Sequence, residues 1–200
     1  MVNKILLFNK WDTSEIIVLD PGIKEYICLK PIFVPKSGGK NIKIKFHKSK
    51  NNIVERLMNK LMVPGHKGKE HRITSGHCTG KSQNAYRIVK AAFEIIEKKL
   101  NQNPVKVFVK ALENSAPREE ITSIEYGGAR YPQSVDCAPQ RRIDIALRMM
   151  IQGAYGQSFK GKKKSEECLA DEIMKAFAMD NKSAAIAKKL ELERQAEASR

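Results

Sequence analysis

Apolar positions along the chain fall into helical rhythm over most of its length and into strict alternation in one place. Val54, Leu57, Met58 and Leu61 recur at i, i+3, i+4 and i+7 and predict a helix over 51–62, stopped by Val63-Pro64-Gly65. The clearest helix is predicted over 83–101, where Ala85, Ile88, Val89, Ala92, Ile96 and Leu100 make one continuous face. Ser82 or Asn84 is placed to cap it, and Glu94 and Lys98 are spaced to pair along it. From Asn103 to about Glu113 the pattern is two-sided: Val105-Lys106-Val107 alternates, while Val105, Phe108 and Leu112 keep helical spacing. Pro104, in a first turn where its missing N–H costs nothing, tips that segment to helix.

The next helix is predicted to open at Pro139, with Ile143, Leu147, Met150 and Ala154 on its buried face, and to break at Gly153-Ala154-Tyr155-Gly156. On its other side Asp144 is spaced to pair with Arg141 or Arg148. Ser165 is the expected cap of a following helix, with Glu166 and Glu167 in the first turn and Leu169, Ile173, Ala176 and Phe177 inward. A last helix is predicted over 183–197, Ile186 and Leu190 inward, its far end fraying unless it docks on RNA or a neighbour.

The alternation lies at Ile121–Tyr126 and Ala129–Asp136, two runs around Gly127-Gly128. Glycine reaches the positive φ angles of a tight primed turn, so a hairpin is predicted at about 119–136. Pro132 cannot donate to a ladder, which leaves an isolated, projecting ribbon with open edges.

Residues 1–50 read differently. Ile16–Leu19, Tyr26–Leu29 and Ile32–Val34 are short apolar runs punctuated by Pro21-Gly22, Pro31 and Pro35, and predict short extended pieces. Lys36-Ser37-Gly38-Gly39-Lys40 and the lysine-dense Ile42–Lys50 read as an arm along phosphates or, more plainly, a solvated linker. The expected architecture is therefore mainly α. A bundle of about six helices carries an inserted protruding β-hairpin before the fourth, with a basic extended N-terminal extension (1–50) ahead of a helical domain (51–200) and a core of helix stripes only.

Charge narrows the function. Lysine and arginine total 37 against 22 acidic residues, a net charge of +15 and a pI near 9.7. Such an excess repels itself unless a polyanion neutralises it, and nucleic acid is the commonest one, with a merely basic soluble protein as the plain alternative. Cys28, Cys78, Cys137 and Cys168 form no C-x-x-C pair, so reduced thiols in a cytosolic protein are expected. No run reaches membrane-spanning length, and Ile5–Phe8 is too short for a signal core.

Three motifs in 64–82 are rejected. Gly76-x-x-x-Gly80-Lys81-Ser82 is one residue short of a phosphate loop and lacks the preceding strand. His66, His71, His77 and Cys78 have no finger or ribbon spacing. Sequence adjacency of Cys and His says nothing of a nucleophile–base pair. The segment reads as donors for phosphate and ribose in an irregular RNA groove. With no paired carboxylates, triad or cofactor loop, no catalysis, cofactor, metal or small-molecule substrate is expected. Cations spread over an arm, a loop, a ribbon and a helix base suit folded RNA better than a single recognition helix suits DNA. A DNA- or RNA-binding architectural protein and an RNA-modifying enzyme are the competing readings.

Tyr126-Gly127-Gly128-Ala129-Arg130-Tyr131, followed by Pro139-Gln140-Arg141-Arg142-Ile143-Asp144-Ile145-Ala146-Leu147-Arg148, resembles the signature of the universal small-subunit ribosomal protein seven family. Leu57–Met62, Asn103-Pro104 and Ala111–Asn114 are similar to further landmarks in the same order. Leu7-Phe8-x-Lys10-Trp11 and the Gly161–Lys164 loop resemble archaeal-type members, while the 64–82 loop is longer than in bacterial ones. The resemblance implies binding to the three-prime major (head) domain of small-subunit ribosomal RNA and nucleation of head assembly. It also implies neighbouring head and platform proteins, and a cytoplasmic, ribosome-bound, membrane-free location. It implies a hairpin tip, Tyr126 to Tyr131, near exit-site transfer RNA and the messenger RNA path. Carried over, Arg118, Arg130, Gln140, Arg141, Arg142 and Arg148 face ribosomal RNA, as do Lys60, Lys67, Lys69, Arg72, Lys81 and Arg87. Lys36 and Lys40 of the arm and Lys160, Lys162 and Lys163 of the basic loop complete the expected RNA-binding set.

Overall fold

The computed structural model describes residues 5–38, 43–64, 78–159 and 161–200. In chain order they form α1 (Pro21–Lys24), a 3-10 turn (His47–Lys50), α2 (Ile53–Met62), α3 (Ser82–Leu100) and α4 (Pro104–Ser115). The hairpin β1 (Glu119–Tyr126) and β2 (Ala129–Asp136) follows, then α5 (Pro139–Ser158), α6 (Ser165–Phe177) and α7 (Ala184–Glu197).

Helix starts follow local chemistry. Asn52 accepts from Val54 N at α2, Asn103 from Val105 N at α4, and Ser183 from Ile186 N at α7. Pro104 and Pro139 sit in first turns. The expected caps Ser82 and Ser165 are instead the first helical residues of α3 and α6, where Lys81 and Lys164 precede them without a side-chain cap. Glu166 and Glu167 still occupy the first turn of α6.

The central helix is α6, which packs on α3, α4 and α5. Phe93, Ile96, Phe108, Leu112, Ile143, Met150, Ile151 and Leu169 are fully buried around it. The core is not confined to helix stripes, as the periodic pattern had suggested. Leu7, Phe8, Trp11, Val18, Ile23 and Ile27 of the N-terminal segment belong to it. Leu7 N donates to Trp11 O at 2.8 Å across a tight loop in which Phe8 and Asn9 have φ of 54° and 60°. The loop turns Phe8 and Trp11 onto Phe93, with ring centroids at 6.3 and 5.8 Å, and Phe93 lies 5.9 Å from Phe108. Polar ties finish the docking: Asn103 Nδ2 donates to Asp12 O at 2.7 Å, and Leu19 N donates to Glu113 Oε1 at 2.5 Å. Residues 5–38 form no strand; the expected extended pieces are irregular chain, and Pro21-Gly22 opens the single helical turn α1 instead.

Gly153 does not break its helix; α5 continues to Ser158. A Cβ on Gly153 would stand 2.8 Å from the Ala184 Cβ and 3.0 Å from the Glu172 carboxyl carbon. The glycine therefore allows close approach of α5 to α6 and the start of α7. There Glu172, fully buried, accepts from Ser183 Oγ at 2.8 Å and from Ala185 N at 3.3 Å. Burial pushes its carboxyl above the ordinary range despite these hydrogen bonds.

The hairpin forms at the expected turn, and its register sets Tyr126 opposite Ala129 and Ile124 opposite Tyr131. Gly127 and Gly128 have φ of 59° and 83°, the two positive values a primed two-residue turn requires. Residues 122–133 are exposed, and only the root is partly covered. The far end of α7 does not fray: Ala196 is fully buried, Ser134 N donates to Ser199 O at 3.4 Å, and Arg200 pairs with Glu119.

Candidate nucleic-acid interface

At the ribbon tip, Tyr126 is 81% exposed and Tyr131 58% exposed. Arg130 lies 3.6 Å from Glu125 directly across the ladder, both solvated, so the pair holds neither firmly. Aromatic faces and one loosely held cation can stack on bases and contact phosphate.

The ribbon root is different. Arg141 Nε donates to both oxygens of Glu120 at 2.6 and 2.7 Å, a contact that raises the guanidinium's affinity for its proton. Beside it, burial and then the Glu120 charge push the Cys137 thiol up to about 11, so this cysteine is neutral and unreactive at physiological pH. Arg142 is buried: its Nε donates to Pro117 O at 2.9 Å and its Nη2 to Asp20 Oδ2 at 2.7 Å. Burial alone would raise the Asp20 carboxyl, but the Arg142 and Gly22 N–H hydrogen bonds outweigh it and hold it below the ordinary range. Gln140 is also buried. Arg141 and Arg142 therefore anchor the ribbon to the bundle and the N-terminal segment. Arg118 is exposed beside this knot, its backbone N–H held by Glu193 at 3.1 Å.

Asp144 pairs with neither helix neighbour. Its oxygens take Arg56 Nη2 at 2.9 Å and Lys48 Nζ, from α2 and the turn before it. Arg148 is exposed and Lys60 half-buried, and neither has a carboxylate partner among the described residues. Glu94 likewise reaches Lys10 at 2.5 Å rather than Lys98. Lys36, Lys81 and Arg87 are exposed, with Arg87 near Asn84 Oδ1 at 3.4 Å. Lys162 is exposed; Lys163 bonds Asp171 at 3.1 Å, and Asp171 also takes Lys99 at 3.0 Å. Lys40, Lys67, Lys69, Arg72 and Lys160 lie outside the described residues, as do His66, His71 and His77 of the rejected zinc motif. Among the described residues no group of acidic, thiol and imidazole side chains could hold a metal, and no helix is long and apolar enough to cross a membrane. Phe46 and Lys48 belong to the lysine-dense arm, but no periodic pattern marked either of them individually. The available signal was an aromatic set within a lysine run, Lys43-Ile44-Lys45-Phe46-His47-Lys48.

Solvated cations on several faces of a helical body, with an aromatic-tipped ribbon standing clear of it, define a scaffold protein for folded polyanions. Residues 24–200 match the family described as ribosomal protein S7p/S5e, and the chain belongs to that family. It is a structural, RNA-binding protein of translation and not an enzyme. The "Small ribosomal subunit protein uS7" of Nanoarchaeum equitans is 55% identical over 197 residues, covering 98% of this chain and 100% of the relative. The proteins of the same name from Methanococcus aeolicus and Archaeoglobus fulgidus are 50% and 46% identical, each over 98% of this chain and over 100% and 96% of their own lengths.

Proposed function

We propose that this chain binds the three-prime major domain of small-subunit ribosomal RNA, nucleates assembly of the subunit head, and places its ribbon beside exit-site transfer RNA and the messenger RNA path. Neighbouring head and platform proteins complete its surroundings, in the cytoplasm. The observation that carries this reading is the ribbon itself. Tyr126, Arg130 and Tyr131 stand solvated at the end of a two-stranded arm whose root is tied by Arg141 and Arg142. A fold gains little from displaying two tyrosines that way, whereas a partner outside the chain gains a stacking and hydrogen-bonding surface. The 1–50 extension serves as a second RNA-contacting unit alongside the 51–200 helical domain, its lysine-rich part on phosphates while residues 7–27 dock on the bundle.

The test is retention of a transcribed head-domain RNA fragment compared with duplex DNA of equal length at one salt concentration. Clear preference for the RNA is expected, and equal affinity overturns the reading. Deleting Glu125–Arg130 is expected to leave head assembly intact while abolishing exit-site transfer RNA protection in the assembled subunit; unchanged protection removes the ribbon from that site.

A further inference from the structure

Between α2 and α5 runs a cleft of about 400 Å3 whose walls carry four cations, Lys48, Arg56, Lys60 and Arg148, against one carboxylate, Asp144. Asp144 is already engaged by Arg56 and Lys48, and Arg56 is fixed further by donating to Tyr26 O at 3.1 Å. Lys60 and Arg148 face each other's charge without a carboxylate partner among the described residues. Burial first, and the neighbouring Arg148 next, hold the Lys60 ammonium below its ordinary range, with Asp144 only partly compensating. Cations gathered this way repel one another in the free protein and are relieved by an anion.

The cleft adjoins a second hollow of about 670 Å3, with which it shares Lys48, Asn51 and Asn59. That hollow is lined by the buried side chains of Met58 and Ala85 and by exposed Phe46 and Ile44. Phe46 is 64% exposed, has Lys45 Nζ 5.2 Å from its ring centre, and sits at φ 62°, a left-handed conformation costly for a bulky residue. Phe46 opens the 3-10 turn, its carbonyl accepting from Ser49 N at 3.2 Å, while its ring stays exposed at the edge of the hollow.

We propose that the two adjoining hollows together seat one unpaired RNA nucleotide, its phosphate held between Lys60 and Arg148 and its base stacked on Phe46. Asn59, exposed on the shared wall, offers its amide to the intervening ribose. An anion flanked by an apolar, aromatic-edged hollow is the chemistry of a nucleotide turned out of a folded RNA. The inference rests on the RNA-binding reading above and names where one contact is made.

The experiment follows retention of the head-domain RNA fragment across a salt series for the full chain and for Lys60→Gln, Arg148→Gln, their double variant and Phe46→Ala. Each cation variant is expected to weaken binding. The double variant flattens the log–log salt slope by about 0.7 to 0.9, the value for one phosphate rather than two. Phe46→Ala is expected to weaken binding roughly tenfold without changing the slope. Lys60→Gln, which removes a mutually repelling charge, is expected to melt no lower than the parent, whereas a structural role would lower its Tm. An unchanged slope in the double variant overturns the phosphate seat. A flattened slope with Phe46→Ala inert overturns the base seat. Binding of inorganic phosphate at Lys60 and Arg148, followed by side-chain NMR, with RNA retention unaffected in the double variant, shows a free-anion site instead. If the parent chain itself fails to retain the fragment, the RNA-binding reading is what has failed, and this inference falls with it.

Discussion

Two arginines of the helical body are held by burial, whereas the ribbon's Arg130 is loose. Arg142 and Arg56 are buried, each bonded to a carboxylate and a backbone carbonyl. Arg130 at the ribbon end meets only a solvated glutamate across the ladder. Burial explains the contrast, because a desolvated guanidinium must satisfy its donors inside the protein while a solvated one has water. The lesson is that identical letters in one signature do different work. The Arg141-Arg142 pair builds the platform, and ribbon residues 122–133 stand solvated outside the core.

The largest expected effect strikes the body. Phe93→Ala removes the ring that joins Phe8, Trp11 and Phe108, and should cost about 3 to 5 kcal/mol in urea unfolding. A small loss would mean the N-terminal aromatics do not share the core. Next comes Arg142→Ala, which strands Asp20 and Pro117 O and should cost about 3 kcal/mol. Its pH signature is specific. Asp20 has a lowered carboxyl pKa in the fold, so its contribution is present above an unfolded value of about 3.9 and lost as pH falls through the lower folded value. An acid titration of stability should show that loss in the parent and lack it in the variant.

Glu172 should behave oppositely. Its folded pKa is raised, so its contribution is present below an unfolded value of about 4.3 and lost as pH rises through the folded one. Glu172→Gln keeps the acceptor for Ser183 and Ala185 and should flatten that decline. Glu172→Ala removes the acceptor at the start of α7 and should cost about 1 kcal/mol. The smallest effect belongs to the ribbon: Tyr126→Ala with Tyr131→Ala should change stability by no more than about 0.5 kcal/mol. A larger loss would erase the distinction between body and ribbon.

Much of the fold was legible because helices and hairpins write themselves in short-range patterns. The stripe through Ala85, Val89, Ala92 and Ile96 is buried, and the Gly127-Gly128 turn lies where alternation placed it. What escaped depends on distant partners. Gly153 looks the same in sequence whether it ends a helix or lets two helices touch, and only Ala184 and Glu172 decide. Asp144 and Glu94 were matched to neighbours on their own helices, whereas cations from the N-terminal 50 residues reach them first. Leu7, Phe8 and Trp11 follow no period, so a core built partly from an irregular segment left no stripe to find. The cationic cleft was visible only as separate letters, Lys60 and Arg148, until α2 and α5 brought them together.

A last consequence concerns Arg142, whose one guanidinium grips Asp20 from the N-terminal segment and the carbonyl of Pro117, two residues before the ribbon begins. Three parts of the chain thus pivot on a common pin. The angle at which the ribbon leaves the body is thereby fixed against the N-terminal segment as well as against α5.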